Sequence, residues 1–253
     1  MKKEDVSFIQ KGEGKDLVLL HGYLSSKESF SAHIDYFSKT FRVTAIDFCG
    51  FGHSAPLTSA FSVSDYAAWT SEAFSLLGVG ETPYCIAHSF GCRVAVKMQS
   101  LAAENGGKGA FSKGSFGKGA FGKTIFTGPA GLLPKRTLRY KIRVKAYRAA
   151  KKLFPAFAEK KFGSAEYRSL SPVMKESYKK IVNEDLRGDI AKFGAPALVI
   201  EGDRDTITTA AEAEEYAKLL PRGGLQYISG GHFAFAENAA AFTLAAEEFF
   251  SDE

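Results

Sequence analysis

Features that mark membrane-spanning, secreted or disulfide-bonded proteins are missing from this sequence of 253 residues. It contains no run of 18 apolar residues, and its N-terminus lacks the apolar stretch of a secretory signal. Its three cysteines, Cys49, Cys85 and Cys92, show no framework spacing, so we expect small buried side chains and no disulfide. These absences predict a cytoplasmic protein with one sizeable core.

Motifs for cofactors and metals are also missing or incomplete. Gly50 and Gly52 lack the third glycine of a dinucleotide-binding fingerprint. Residues 117–124 match the phosphate-loop pattern G-x-x-x-x-G-K-T, but that motif binds phosphate only between a strand and a helix. Here a repetitive stretch precedes the motif and a strand follows it. No spacing of histidines, cysteines or carboxylates fits a metal site, so we expect neither a metal nor a cofactor.

What the sequence does contain is a regular alternation of strand-like apolar runs and helical periodicity. Strands over 6–10 and 17–20 predict an opening hairpin, and a helix over 64–77 has Ser64 as its expected N-cap. Strands continue to alternate with helices toward the C-terminus. This order predicts an α/β fold with a mostly parallel central sheet flanked by helices.

The same pattern places two side chains that belong to no motif. His33 lies on a predicted helix over 29–37 and is expected at its surface. A strand over 197–200 is expected to end before Glu201, which would then open the turn that leads to Asp205.

Two stretches interrupt the alternation. Residues 105–123 repeat a lysine, glycine and phenylalanine pentad, which we interpret as a mobile low-complexity loop insertion. A patch that binds anions or nucleic acid is the alternative, although we expect no nucleic-acid partner. Residues 132–191 predict a helical cap, inserted into an α/β core that consists of residues 1–131 and 192–253.

One predicted cap helix, over 136–154, is strongly basic and amphipathic. Its apolar residues recur at helical spacing, and the stretch from Arg136 to Lys152 carries eight basic residues and no acidic one. Such a helix packs its apolar stripe on the main domain and leaves its lysines in water, or it associates weakly with an anionic membrane surface.

The pentad Ala87-His88-Ser89-Phe90-Gly91 joins a short apolar run to a helix-like stretch. A strand that turns into a helix within so few residues holds the serine in strained backbone angles, and small neighbours such as Ala87 and Gly91 permit the turn. The serine Oγ then points out of the sheet, beside the Phe90 N–H at the helix N-terminus. The alternative is that Ser89 merely caps that helix.

Nucleophilic acyl transfer needs a base, an orienting carboxylate and N–H donors beside the serine. Residues of these kinds follow predicted strands, and in chain order they are His21-Gly22-Tyr23, Ser89, Asp205 and His232. Because the carboxyl ends of parallel strands meet at one edge of a sheet, we expect these groups to converge there. Asp203 is the alternative carboxylate, although the Gly-x-x-Asp spacing favours Asp205.

These motifs resemble those of α/β-hydrolase-fold serine hydrolases with a helical cap, such as small bacterial esterase-like members. The resemblance covers nearly the whole chain apart from the pentad loop. It implies that Ser89 is the nucleophile, His232 the general base and Asp205 the orienting carboxylate. It also implies an oxyanion hole formed by the N–H groups of Tyr23 and Phe90. The other matching residues, which would support the site, are His21, Gly22, His88 and Gly91.

The activity that the resemblance implies is hydrolysis of a carboxylic ester, with a small- to medium-chain acyl group or a lysophospholipid-like substrate. Cleavage of thioesters, amides or carbon–carbon bonds stays open, because the fold alone does not select among them. A protein that binds a ligand or an anionic surface on a hydrolase scaffold is the alternative from another class. The apolar cap residues expected to line the acyl pocket are Leu132, Leu133, Tyr140, Phe154, Phe157 and Phe162.

Overall fold

The structure, a computed structural model, describes residues 1–104, 120–133 and 165–251. Within these ranges the chain forms a seven-stranded sheet, whose strands are β1 (Phe8–Lys11), β2 (Lys15–Leu20), β3 (Phe41–Ile46), β4 (Tyr84–His88), β5 (Thr124–Thr127), β6 (Ala197–Gly202) and β7 (Gly223–Ile228). Their order across the sheet is β1-β3-β2-β4-β5-β6-β7. Every neighbouring pair is parallel except β1 and β3, which confirms the predicted mostly parallel sheet.

Helices cover both faces of the sheet. Besides two short 3-10 helices, Lys3–Asp5 and Lys27–Phe30, the described helices are α1 (Ser31–Phe37), α2 (Val63–Leu76), α3 (Phe90–Glu104), α4 (Ala165–Ser169), α5 (Pro172–Asn183), α6 (Arg187–Ile190), α7 (Ala210–Leu219), α8 (Ala234–Glu237) and α9 (Ala239–Ser251). Helices α1, α8 and α9 pack on one face, and α2, α3, α6 and α7 pack on the other. The result is the three-layer arrangement of an α/β domain.

Strand β2 illustrates how the sequence encodes these layers. Leu17 and Leu19 face the layer of α1 and α9, whereas Val18 and Leu20 face the layer of α2 and α3. All four side chains are fully buried. Because successive side chains of a strand point to opposite faces, a strand that is covered on both sides reads as a continuous apolar run.

The predicted opening hairpin is wrong, since β1 and β2 are not neighbours. Strand β3 lies between them, antiparallel to β1 and parallel to β2. The other edge of β2 pairs with β4. Both edges of β2 are therefore occupied by parallel strands, and β1 is left at the outer edge of the sheet, where its last two residues are exposed.

The N-cap of α2 lies two residues earlier than predicted. Ser62 is its N-cap, because the Ser62 Oγ accepts the Asp65 N–H at 3.2 Å and the Asp65 carboxylate accepts the Ser62 N–H at 2.7 Å. Ser64, the predicted cap, lies within the first turn. The reciprocal bonds of this capping box satisfy two N–H groups at once, which a cap at Ser64 would not do.

His33 is buried rather than exposed, contrary to the prediction. Only 1% of its surface is accessible, and its ring contacts Phe30, Phe37, Phe235 and Phe242. Neither ring nitrogen has a hydrogen-bond partner among the described residues. Helices α8 and α9 cover this side of α1 and convert the expected surface into part of the core. The three cysteines are buried and unpaired, as expected.

The two predicted interruptions are described only in part. Residues 105–119 of the pentad loop and the basic helix over 136–154 lie outside the described residues. The end of the predicted loop is packed, in contrast to the expected mobile loop, because Phe121 is buried and its N–H donates to Gln99 Oε1 at 3.0 Å. Helices α4, α5 and α6 occupy the described part of the predicted cap segment. No helix in the described ranges is long and apolar enough to cross a membrane.

Candidate active site

Ser89 forms a sharp turn between a strand and a helix. Strand β4 ends at His88 and α3 begins at Phe90, so the serine alone connects them, with a φ of 49°. This angle is uncommon for a residue other than glycine and stores local strain. Gly91 permits the turn, because a Cβ at that position would collide with the Leu20 carbonyl oxygen.

Three side chains from separate loops form a continuous hydrogen-bonded series. The Ser89 Oγ lies 3.1 Å from His232 Nε2, and His232 Nδ1 lies 2.7 Å from an Asp205 carboxylate oxygen. The other carboxylate oxygen accepts the N–H groups of Ile207, at 2.6 Å, and Thr208, at 3.0 Å. The loops that follow β4, β6 and β7 thus bring together the three residues that the sequence singled out.

The chemistry of the bonded groups assigns the protons of this series. An ionised carboxylate only accepts hydrogen bonds, so His232 Nδ1 carries the hydrogen that it donates to Asp205. The Nε2 atom of a neutral imidazole is then free to accept the Ser89 hydroxyl hydrogen. This arrangement can remove the proton from the serine hydroxyl and retain it on the imidazole.

Asp203, the alternative carboxylate, has a different place. One of its carboxylate oxygens accepts the Gly230 N–H at 3.0 Å, and its side chain is 49% exposed. The side chain of Asp205, by contrast, is 1% exposed. The structure therefore places Asp205, and not Asp203, against His232.

The environment of Asp205 favours its ionised form. Burial alone would raise the pKa of this carboxyl, but side-chain hydrogen bonds with His232 and Glu201 and the N–H of Ile207 outweigh burial and lower the pKa to about 2. Glu201 lies within β6 and is fully buried, so its predicted place in the turn is wrong. One feature of the sequence pointed to the burial of Glu201: this acidic residue directly follows an apolar run without an intervening turn residue.

His88 supports the imidazole from its own strand end. Its Nε2 lies 3.0 Å from the His232 carbonyl oxygen. Burial, and secondarily the neighbouring His232, lower the pKa of His88 to about 3, so His88 is neutral and donates this bond. The glycine at position 22 lets the backbone after β2 pack closely against His88 and Ser89, since a Cβ there would lie 2.8 Å from His88 Nδ1 and 3.5 Å from the Ser89 Cβ. The backbone at Gly22 therefore lies directly beside the serine.

His21 links two loops behind the serine. Its Nε2 accepts the Phe48 N–H at 3.0 Å, and its Nδ1 lies 2.6 Å from the Gly22 carbonyl oxygen. Burial lowers the pKa of His21 to about 4, so the ring is neutral and donates from Nδ1. The turn after β2 is thereby fixed to the loop after β3.

Tyr23 and Phe90 follow the two turns that meet at Ser89. Their rings pack edge to face with centroids 5.6 Å apart. The Phe90 N–H belongs to the first turn of α3, where backbone N–H groups have no partner within the helix. The Tyr23 hydroxyl donates to the Met174 carbonyl oxygen at 3.4 Å and so connects this region to α5. Phe90 directly follows Ser89, and Tyr23 lines the same cavity as Ser89.

A cavity of about 450 Å³ opens onto Ser89 and His232. Its other lining residues include Tyr23, Leu24, Tyr167, Leu170, Tyr178, Ile207 and Phe233. The sequence analysis did not predict that α4 and α5 line this cavity. The only sign of it in the sequence is a pair of tyrosines, Tyr167 and Tyr178, that follow the predicted basic helix. Aromatic and aliphatic groups make up most of the wall, and the three tyrosines add hydroxyl groups to it.

Only some of the residues predicted to line the acyl pocket belong to the described part of the chain. Tyr140, Phe154, Phe157 and Phe162 lie outside the described residues. Leu132 lines a second cavity, of about 170 Å³, which also reaches Ser89. Leu133 lines neither of these two cavities. Both cavities therefore reach the serine, and of the predicted acyl-pocket residues only Leu132 lines one of them, the smaller.

Comparison with known proteins shows which family the sequence matches. Residues 17–246 match the sequence model of the alpha/beta hydrolase family. The chain is 35% identical over 73 residues to (E)-2-((N-methylformamido)methylene)succinate hydrolase from Acinetobacter baylyi, an alignment that covers 29% of this chain and 28% of that protein. It is 23% identical over 259 residues to the dihydrolipoyllysine-residue acetyltransferase component of an acetoin-cleaving system from Cupriavidus necator, covering 94% of this chain and 64% of that protein.

A solved structure confirms the architecture. The enol-lactonase from Burkholderia xenovorans superimposes with a TM-score of 0.71 over 98% of this chain and 96% of that chain. The sequence identity is 19%, so this likeness concerns the fold. The two curated relatives are matched over less than two thirds of their own length.

Proposed function

The chain belongs to the alpha/beta hydrolase family, and we propose that it is a hydrolase that cleaves carboxylic esters with a small- to medium-chain acyl group through a Ser-His-Asp triad. The observation that carries this proposal is the series from Ser89 Oγ through His232 to Asp205. Its strained serine faces a cavity at the carboxyl edge of the sheet. Acyl transfer requires a nucleophile that is hydrogen-bonded to a base, and the strained turn exposes the serine hydroxyl for attack.

In the first half of the reaction, the Ser89 Oγ attacks the ester carbonyl carbon and His232 Nε2 takes the hydroxyl proton. Asp205 stays ionised and stabilises the imidazolium through Nδ1. The carbonyl oxygen becomes an oxyanion, which the N–H groups of Tyr23 and Phe90 would stabilise. His232 then returns the proton to the leaving alcohol as the carbon–oxygen ester bond breaks, and an acyl-enzyme on Ser89 remains.

In the second half, water replaces the alcohol. His232 Nε2 takes a proton from the water while the water oxygen attacks the acyl carbon. The same N–H groups stabilise the second oxyanion. The bond to Ser89 Oγ breaks, the imidazolium returns its proton to that oxygen, and the carboxylic acid departs with the free enzyme restored.

The size and lining of the larger cavity support a small or medium acyl group. About 450 Å³ is at the lower end of ligand cavities in proteins. Leu24, Leu170 and Phe233 offer apolar contact to an acyl chain, whereas the tyrosine hydroxyls suit a polar group near the carbonyl. The smaller cavity, which also reaches Ser89, offers room for the alcohol portion.

Steady-state hydrolysis of p-nitrophenyl esters of increasing acyl length tests the proposal. We expect Ser89→Ala and Asp205→Asn to lose at least about 10³-fold in kcat, because each removes a member that acts with the others as a unit. Asp203→Asn is the matched control and should keep wild-type turnover, since Asp203 contacts a backbone N–H outside the series. Undiminished turnover by Ser89→Ala, or no turnover of any ester by the wild type, would contradict the proposal.

A further inference from the structure

Glu201 is a buried carboxyl that the proposed mechanism does not use. It is the fifth residue of β6 and has no accessible surface. No donor among the described residues forms a hydrogen bond of good geometry with either of its carboxylate oxygens. An ionised carboxylate in such a place is very unfavourable, so the group needs either a proton or a cation.

Among the described residues, the titratable groups that act on Glu201 include no cation. Asp205 approaches it from the turn after β6, Cys92 from α3, Glu212 from α7 and Tyr227 from β7. Each of these groups is neutral or negative at neutral pH. Glu201 therefore carries a proton and is a neutral carboxylic acid.

The contact between Glu201 and Asp205 decides where that proton points. Two carboxyl groups form a hydrogen bond only when one of them is protonated. Asp205 is committed to its ionised form, because it accepts hydrogen bonds from His232, Ile207 and Thr208. Glu201 is thus the donor of the pair. Burial first, and the contact with Asp205 second, raise the pKa of Glu201 to about 9, while the Gly202 N–H acts in the opposite direction.

We propose that Glu201 is a positioning residue, a protonated acid that donates a hydrogen bond to Asp205 and holds the Asp205 carboxylate against His232. The role rests on the proposed function, because it acts through a member of the triad and touches no reacting atom. It also explains a buried acid at a strand position that otherwise calls for an apolar residue.

Two substitutions separate the hydrogen bond from the shape of the side chain. Glu201→Gln keeps an N–H donor of similar geometry and cannot ionise. Glu201→Leu keeps most of the volume and has no donor. Asp203→Asn again serves as a control for a nearby carboxyl outside the series.

The pH profile of p-nitrophenyl butyrate hydrolysis reads out the positioning. We expect Glu201→Gln to remain within about twofold of the wild-type kcat, and Glu201→Leu to lose about tenfold in kcat with little change in KM. In Glu201→Leu, no hydrogen bond reduces the negative charge of Asp205, so that charge favours protonation of His232 and the acid limb of kcat/KM should move to higher pH. In Glu201→Gln, the acid limb should stay in place. A Leu variant with wild-type kcat and an unmoved acid limb would overturn the role, as would a Gln variant as impaired as the Leu variant.

Thermal unfolding supplies a readout that needs no substrate. The unfolded chain ionises Glu201 near its ordinary pKa, whereas the folded protein keeps the proton up to about pH 9. Stability from this group is therefore lost as the pH rises between these values, and Glu201→Gln escapes that loss. We expect the Tm of Glu201→Gln to exceed that of the wild type by an amount that grows from pH 5 to pH 9. A difference that does not change with pH would overturn the protonated state.

The two readouts also keep this role distinct from the proposed function. If Ser89→Ala and Asp205→Asn are inactive while Glu201→Leu is fully active with an unmoved acid limb, only the positioning role is overturned. If Ser89→Ala turns over esters as the wild type does, the triad is overturned and the positioning role with it, whatever the Tm values show.

Discussion

Lys27 and Asp47 form a buried ion pair in the loops next to His21. The Asp47 carboxylate accepts the Lys27 backbone N–H and ammonium, both at 2.8 Å, and the His53 N–H at 2.9 Å. Burial would raise the pKa of Asp47, but these bonds outweigh burial and lower it. Gly52 brings the backbone so close to this carboxylate that a Cβ there would collide with it. The loop after β3 is therefore wrapped around one buried charge.

Removing the cation should strongly destabilise the protein. We expect Lys27→Met to lower the free energy of unfolding by about 3 kcal/mol or more, because Asp47 would keep a buried charge without its partner. Lys11→Met is the matched control, since the pair of Lys11 with Asp35 is more than half exposed and should contribute about 0.5 kcal/mol or less. Urea unfolding of both variants measures the contrast, and equal losses would contradict this account of the pair.

Two serines near the start of α2 could each serve as its N-cap. Both Ser62 and Ser64 precede the apolar periodicity of the helix. Only Ser62 has an acidic residue three positions later, Asp65, and the structure uses that pair as a capping box. The sequence already contained this signal.

The two serines should differ in stability measurements. Ser62→Ala removes the acceptor of the Asp65 N–H and should lower the free energy of unfolding by about 1 kcal/mol. Ser64→Ala places the best helix former inside the first turn and should leave stability within about 0.5 kcal/mol of the wild type. Chemical denaturation of the two variants and the wild type tests this order, and a larger loss in Ser64→Ala would refute the observed cap.

The sequence predicted most of the sheet because strands buried on both faces leave continuous apolar runs. It predicted the convergence of Ser89, Asp205 and His232 for a related reason, since parallel strands end at one edge. Strand partners were harder to predict: the pairing of β1 with β3 depends on what occupies the edges of β2, and no local pattern records it. The burial of Glu201 and the contribution of α4 and α5 to the cavity were likewise set by distant neighbours.

Over the whole molecule, buried ionisable groups give stability a defined dependence on pH. Burial lowers the pKa of His21 and His33 to about 4 and of His88 to about 3. The unfolded chain takes up these protons near pH 6.5, whereas the folded protein does not, so stability falls as the pH drops below 6.5. Glu201 has the opposite sign, because its raised pKa makes stability fall as the pH rises toward 9.

These opposing contributions predict a Tm that is highest near pH 6.5 and falls on both sides. Among the described residues, the three buried histidines outweigh Glu201 below pH 6.5, and Glu201 opposes stability as the pH rises above that value. His33→Leu removes one acid-sensitive group from an apolar site and should raise Tm by about 5 °C more at pH 5 than at pH 8. His53→Leu, at an exposed position, is the control for the change of side chain itself. A pH-independent effect of His33→Leu would contradict the neutral buried histidine.

The most direct test of the central claim is the mass of the protein after reaction with a fluorophosphonate, followed by mapping of the modified peptide. We expect one adduct per wild-type chain, on Ser89, because His232 activates that hydroxyl and the turn exposes it to the cavity. Ser89→Ala should stay unmodified, and Asp205→Asn should react far more slowly. An adduct on another residue, or a folded wild-type protein that does not react, would contradict Ser89 as the nucleophile.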